Sequence, residues 1–346
     1  MNGVLNSLTS DLHSPSMFSL SINILEFPND QVQINPQTKE LYYFQGNILN
    51  KYKGGITNPV YTFSKDLPGR LIFFTRIGNI LCSLENSGEV YLSQNNGQSF
   101  NTILTLSNPT SWAMNWACEQ IYIPPSLPPT PPKGGYRGEV GGGKSIILLG
   151  EYHLDNDNRA IIYISENEGK TWQKLTTIPN QRHIHFIKKD PYSDIIYITI
   201  GDNTKDVYIT SYPNLIVREL CHNSHLMSVG FHPDYIAFGS DEEQQNFILT
   251  IDRNGKTLQY NFQQPRDNMV YDFAYIGKTM ISTNRLAENC KQKANNHPNL
   301  WIIEQEKAIA NIESFYLSNV IDKTCYTGRT SKTICLSVLQ PIPKVL

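Results

Sequence analysis

One pattern occurs twice in this chain, and it constrains the fold more than any other feature. Tyr91-Leu92-Ser93-Gln94-Asn95-Asn96-Gly97-Gln98-Ser99-Phe100 aligns with Tyr163-Ile164-Ser165-Glu166-Asn167-Glu168-Gly169-Lys170-Thr171-Trp172. Both copies read strand, then Ser-x-Asn-x-Gly-x-Ser/Thr-aromatic, then a second strand. A repeated hairpin in a chain of 346 residues points to a repeat architecture. Asn and Gly tolerate positive φ, and Asn folds its side chain back onto its own backbone. Ser93 and Ser165, with Ser99 and Thr171, are placed to hydrogen-bond across the turn. Phe100 and Trp172 then pin it against the sheet beneath.

Weaker echoes of the pattern, at 50–54, 210–214, 250–257 and 301–304, recur at intervals of roughly 40–50 residues, the length of one four-stranded propeller blade. A second repeat reinforces the spacing. Asp190-Pro191-Tyr192-Ser193-Asp194-Ile195-Ile196-Tyr197-Ile198-Thr199-Ile200-Gly201-Asp202 returns, shortened, as His232-Pro233-Asp234-Tyr235-Ile236-Ala237-Phe238-Gly239-Ser240-Asp241. The expected fold is therefore an all-β propeller occupying 1–346 as a single domain. Its blades fall at 28–66, 68–107, 110–178, 181–222, 225–263 and 267–312. Strands within 314–339, joined by the N-terminal strand 17–27, form a seventh blade that closes the ring and removes free edges. Six blades is the alternative count. The segment 123–144 breaks the rhythm with six prolines followed by a run of glycines. Prolines remove ladder donors, so the segment reads as a loop inserted in a blade.

Composition limits the function classes. Net charge is −2, which leaves no electrostatic footprint for nucleic acid. No apolar run reaches membrane-spanning length, and no basic-then-apolar leader opens the chain. These features leave a virion surface, a cell surface or the cytoplasm open as locations. The charged fraction is low at 17%, and the 19 tyrosines are many. The cysteines (Cys82, Cys118, Cys221, Cys290, Cys325 and Cys335) show no zinc-like spacing and read as buried thiols. Cys325 and Cys335 could meet across a hairpin in an oxidising compartment.

The repeated turn resembles the Asp-box (BNR) repeat of sialidase-like β-propellers, Ser-x-Asp-x-Gly-x-Thr-Trp, with Asn95 and Asn167 in place of Asp. Ser93, Asn95, Gly97 and Phe100, and Ser165, Asn167, Gly169 and Trp172, carry that likeness. With Gly150-Glu151-Tyr152, His183-Ile184-His185, Gly201-Asp202 and Gly239-Ser240-Asp241, residues 70 to 310 are similar to bacterial and archaeal sialidase-like BNR-repeat proteins. The resemblance implies a propeller with a carbohydrate-oriented central face and a box on the outer rim. Sialidases of this kind add an Arg-Ile-Pro motif, three arginines on a carboxylate, a Tyr-Glu pair and an Asp acid. Here Arg76-Ile77 is followed by Gly78, and Arg182 and Arg285 lack flanking marks.

Several residues are candidate ligand contacts. In a strand, residues i and i+2 share a face, so His183 and His185 present two imidazoles together. Glu151, Asp202 and Asp241 hold corresponding places in successive blades. Converging, these groups could bind a divalent metal through His183 and His185, or sugar hydroxyls, or do acid–base work. Tyr152, with Trp112 and Trp116, offers aromatic surface for a sugar ring or packs in the core. Arg76 and Arg285 complete the candidate set.

No matched catalytic set emerges, and a propeller alone does not imply chemistry. The expected function is a non-catalytic glycan-binding or adhesion module that recognises carbohydrate or glycoprotein, such as a virion or cell-surface component. The first alternative is a carbohydrate-active enzyme, a glycoside hydrolase or polysaccharide lyase. The second is a protein-interaction scaffold using a propeller face or the proline-rich loop.

Overall fold

The computed structural model describes residues 7–8, 22–27, 31–35, 37–38, 41–45, 48–53, 60–66, 70–84, 86–123, 143–153, 155, 159–201, 205–222, 224–240, 247–254, 257–260, 268–276, 279–286, 300–304, 307–312 and 333–338. Every regular element among them is a β-strand. β1 (Ser7–Leu8) and β2 (Ile22–Phe27) come first. A first sheet then holds β3 (Gln31–Ile34), β4 (Leu41–Gln45), β5 (Ile48–Lys53) and β6 (Val60–Asp66). The second holds β7 (Arg70–Phe74), β8 (Ile80–Leu84), β9 (Glu89–Ser93) and β10 (Asn101–Thr105). The third holds β11 (Trp112–Ile123), β12 (Lys144–Tyr152), β13 (Arg159–Ser165) and β14 (Gln173–Pro179). The fourth holds β15 (His183–Lys189), β16 (Ile195–Gly201), β17 (Val207–Ser211) and β18 (Arg218–Cys221). The fifth holds β19 (Leu226–Phe231), β20 (Tyr235–Ser240), β21 (Ile248–Asp252) and β22 (Thr257–Tyr260). The sixth holds β23 (Asn268–Ile276), β24 (Thr279–Leu286), β25 (Leu300–Glu304) and β26 (Lys307–Ile312), and β27 (Thr333–Val338) closes the order.

Each of these six sheets is an antiparallel meander in strand order, within the boundaries expected from the repeats except that β14 runs one residue past 178. A three-stranded sheet has the order β1-β2-β27, so the N-terminal strand pairs the C-terminal one, Ile22 opposite Val338 and Phe27 opposite Thr333. By packing, the chain divides into two compact units. One is Met1–Ile34, Glu40–Asp66 and Gly230–Leu346; the other is Asn35–Lys39 and Leu67–Val229.

In the second unit, burial grades across each meander. β12 and β13 are buried along almost their whole lengths, whereas β10, β14 and β18 are mostly exposed or half-buried. That grading explains why Ile146-Ile147-Leu148-Leu149 reads as a continuous apolar run: both faces of an inner strand are covered. Ile72, Leu81, Leu92, Ile147, Leu149 and Ile161 meet in one core between the second and third sheets. Fully burying each such side chain contributes about 1.5–3 kcal/mol.

The two repeated turns are built alike. Ser93 Oγ donates to Asn95 Oδ1 (2.9 Å) and accepts from Gly97 N (2.8 Å), while Asn95 Oδ1 accepts from Ser99 N (3.0 Å). Asn95 Nδ2 donates to Ser99 Oγ at 2.8 Å. The second copy repeats every bond: Ser165 Oγ to Asn167 Oδ1 (3.1 Å), Gly169 N to Ser165 Oγ (3.0 Å), Thr171 N to Asn167 Oδ1 (2.9 Å) and Asn167 Nδ2 to Thr171 Oγ1 (2.8 Å). The hydroxyls thus connect through the Asn amide rather than directly. Positive φ falls on Asn96 and Gly97 (56° and 79°) and on Glu168 and Gly169 (60° and 82°), one place later than the bonding Asn. Trp172 packs on the core and donates Nε1–H to Gly169 O at 2.9 Å; Phe100 is half-buried and has no such donor.

The inserted segment leaves from Ile123 and returns at Lys144, which face each other in the β11–β12 ladder. It is therefore the connection of one hairpin; residues 124–142 lie outside the described residues.

Candidate functional site

A meander places its first–second and third–fourth connections at one end, and its second–third connection at the other. In the third and fourth sheets the first end carries the 166–172 turn and the 123–144 connection. The opposite end collects Trp112, Tyr152, His183 and Gly201 from the ends of β11, β12, β15 and β16.

At that opposite end an aromatic and imidazole cluster forms. The Tyr152 ring lies 4.0 Å from the His183 ring between centroids, and His183 stacks on His185 at 4.9 Å with 14° between planes. Trp112 sits 5.0 Å behind Tyr152, and Trp116 meets it edge-on at 6.4 Å. Trp112, Trp116 and His183 are buried, while Tyr152 and His185 are half-buried and form the accessible part.

Two local features bring the imidazoles together. His183 pairs Gly201 across the β15–β16 ladder, and the register then slips between Ile184 and Phe186, leaving His185 as the extra residue of a bulge. Bulges re-aim a side chain and increase local twist. Corresponding one-residue slips occur at Ile72 in β7 and Tyr271 in β23. Gly201 supplies the room: a Cβ there would lie 2.3 Å from His183 Nε2 and 2.2 Å from His185 Nε2. Both Nε2 atoms therefore converge over one glycine.

His183 Nδ1 lies 2.8 Å from the His153 carbonyl oxygen. A carbonyl only accepts, so Nδ1 carries the proton and Nε2 presents a lone pair. Burial holds the His183 pKa well below the ordinary imidazole range, and the neighbouring His185 adds to the effect. His183 is thus neutral at physiological pH. His153, also buried, has Nδ1 2.6 Å from Asp155 Oδ1, and Arg182 Nε donates to the Asp155 carbonyl at 3.2 Å.

Glu151 and Arg76 do not join this cluster. Glu151 is fully buried and accepts from Ser107 Oγ (2.9 Å), Asn108 N (3.1 Å) and Tyr163 OH (2.9 Å). It is a strut between the 107–108 segment and the third sheet, because its strand register turns the carboxylate into the protein rather than towards a mouth. Arg76 sits in the β7–β8 connection, at the end of its sheet that bears the 94–100 turn. Its guanidinium lies 3.6 Å from the Tyr122 ring centroid, and its backbone N–H donates to Gln120 Oε1 at 2.6 Å. An arginine stacked there is not part of a carboxylate clamp with Arg182, which lies beside the histidines. Arg285 pairs Met269 in the β23–β24 ladder of the other unit. Asp202 and Asp241 lie outside the described residues, as do Cys290 and Cys325. Cys82 and Cys118 are buried free thiols, as expected, and burial pushes both thiol pKa values up.

Sequence reading missed His153 and the role of Gly201. His153 follows Tyr152 directly, but only the fold shows its carbonyl reaching His183. Gly201 stood in a Gly-Asp pair that reads as a turn.

No family model matches the chain, and no curated protein does. Among solved structures, Kuenenia stuttgartiensis hydrazine synthase is similar with a TM-score of 0.52 at 13% identity, over 80% of this chain and 77% of that one. The Niastella koreensis GH74 enzyme aligns with a TM-score of 0.45 at 12% identity, over 82% of this chain. This chain spans 59% of the GH74 enzyme's length. With the repeated four-stranded meanders, the first likeness supports a β-propeller fold. At such identity it says nothing of activity. Among the described residues no helix is long and apolar enough to cross a membrane.

Proposed function

We propose that this chain is a non-catalytic carbohydrate-binding β-propeller that takes its ligand at the Tyr152–His185 surface. The observation that carries the reading is the stack Tyr152–His183–His185, backed by Trp112 and Trp116 and half-open at Tyr152 and His185. A flat π surface suits the C–H face of a pyranose, and imidazole nitrogens suit its hydroxyls. Glycoprotein glycans are the natural source. The matched bonding in the two Ser-x-Asn-x-Gly turns supports kinship with Asp-box propellers, in which such turns are folding elements. In this reading the sheets are blades, and the β1-β2-β27 sheet makes the seventh.

The chemistry of the described residues favours binding over turnover. Hydrolysis of a glycosidic bond ordinarily needs two carboxyl groups flanking it. Glu151 is committed to Ser107, Asn108 and Tyr163, and Arg76 lies at the far end of its sheet. One observation favours the enzyme alternative: His183 is a neutral imidazole with an Nε2 lone pair, the state a general base needs.

A glycan array with product analysis tests both. The expected result is binding without bond cleavage, weakened roughly 10-fold by Tyr152→Ala and by His185→Ala, since a stacked ring contributes about 0.5–1.5 kcal/mol beyond its area burial. Released product would replace this reading with the enzymatic one. Unchanged affinity in both variants would move the ligand elsewhere, and no binding would favour the scaffold.

A further inference from the structure

We propose that Asp206, Glu219 and His222 form a site for a divalent transition metal, with Zn2+ preferred over Ca2+, on the outer hairpin of the fourth sheet. Their donor atoms, one from each residue, lie within 4.8 Å of one another. His222 Nδ1 is 3.1 Å from Asp206 Oδ2 and 3.9 Å from Glu219 Oε1. A zinc ion about 2.0–2.2 Å from each donor needs donors roughly 3–4 Å apart, so a small rotation of the exposed Glu219 completes the set.

The strand register shows why these three residues meet. Asp206 directly precedes β17, and Tyr208 pairs Glu219 across the β17–β18 ladder. Glu219 and His222 are three apart, an odd spacing that puts side chains on opposite faces of a regular strand. The register slips between Val207 and Tyr208, so that Leu220 is an extra, unpaired residue. The bulge restores phase, and Asp206, Tyr208, Glu219 and His222 come to one side of the hairpin. Without the bulge, with Leu220 paired in regular register, the carboxylate and the imidazole would part.

The surroundings are those of a supported site. Asp206 is fully buried, and Gln181 Nε2 donates to its Oδ2 at 2.8 Å. Tyr208 OH donates a long hydrogen bond to Glu219 Oε2 at 3.4 Å, on the side of the carboxylate away from His222 Nδ1's nearer oxygen. Outer partners of this kind orient metal ligands. Two carboxylates packed together repel, and one cation removes that cost. One imidazole with two carboxylates favours a borderline metal over calcium, which takes more ligands, all oxygen. Glu219 and His222 are 46% and 61% exposed, so the metal would keep an open side towards solvent. The site does not depend on the carbohydrate reading, and each stands or falls alone.

The test is calorimetric titration of the untagged full chain, stripped with chelator, with ZnCl2 and separately with CaCl2. One equivalent of Zn2+ binds and Ca2+ binds at least tenfold more weakly. Glu219→Gln and His222→Ala, both at exposed positions, each weaken Zn2+ by roughly 100-fold, since even outer-shell changes cost 10–100-fold. His185→Gln leaves the affinity unchanged. Absence of a one-equivalent site, equal affinity in Glu219→Gln and His222→Ala, or loss through His185→Gln instead would each overturn the proposal. Tighter Ca2+ than Zn2+ would overturn the metal assignment.

Discussion

The two ends of the third sheet hold its polar groups by different means. At the 166–172 turn, Ser165, Asn167, Gly169 and Thr171 bond to partners no more than four residues away. At the opposite end Glu151 bonds Asn108 and Ser107, more than forty residues back. His183 likewise bonds the carbonyl of His153, thirty residues away. The Ser-Asn-Gly-Thr bonds are closed within their own segment and so can be copied between sheets, as the 94–100 turn shows, while Glu168 of the same turn accepts from distant Asn79 and Gln120. The second arrangement exists only when distinct segments have already packed. One end is a folding element, and the other is where individual chemistry can accumulate.

The largest expected effect that would break this contrast is at Glu151. Glu151→Ala strands buried donors from Ser107, Asn108 and Tyr163, and each unsatisfied group costs about 1–3 kcal/mol, for roughly 4 kcal/mol in all. Urea unfolding should show that loss; a change under 1 kcal/mol would mean the carboxylate is not a strut.

Next comes the pH dependence of the same end. His183 has its folded pKa below the unfolded value of 6.5, so the unfolded chain binds the extra proton. Its stabilising contribution is complete above pH 6.5 and is lost as pH falls towards the folded pKa. The slope from this one group reaches at most about 1.4 kcal/mol per pH unit. His183→Gln should flatten the stability profile between pH 6.5 and 5, measured by urea midpoints against the parent. An unchanged slope would show that His183 does not stay neutral on acidification.

The smallest effect sharpens the comparison. Ser93→Ala and Ser165→Ala should each cost about 1–2 kcal/mol, nearly equal to each other, because the two networks match bond for bond. Their costs should also add, being separate local devices. Strong coupling between them would show that the turns are not self-contained.

Legibility in the sequence followed the same division. The turn residues Ser93, Asn95 and Gly97 could be assigned because their partners are near neighbours. The sheet boundaries were readable because apolar runs such as 146–149 and 195–200 alternate with turn residues. The pairing of 22–27 with strand 333–338 followed from the need to cover the strands left over at each end. The candidate site was only half readable. His183 and His185 were placed together by the strand period, although the bulge at His185 and the missing Cβ of Gly201 do the fine placement. Glu151 was misassigned because a Gly-acid pair does not reveal which way its strand faces. Arg76 does not reach the cluster, because a motif position does not say which end of a sheet its loop occupies. Asp206, Glu219 and His222 left no pattern, because a one-residue bulge alters the spacing that a regular strand would show.

By itself the sequence determined an all-β chain of repeated four-stranded units, two of them carrying a self-contained Ser-x-Asn-x-Gly turn. Those features rest on side-chain periodicity and on hydrogen bonds that span four residues or fewer. Only the tertiary structure decided that Glu151 is internal, that Tyr152 and the two histidines form one stack, and that Asp206 meets His222. The reason is physical: burial, bulge and cross-strand register set the environment of a polar group, and each depends on segments far apart in the chain.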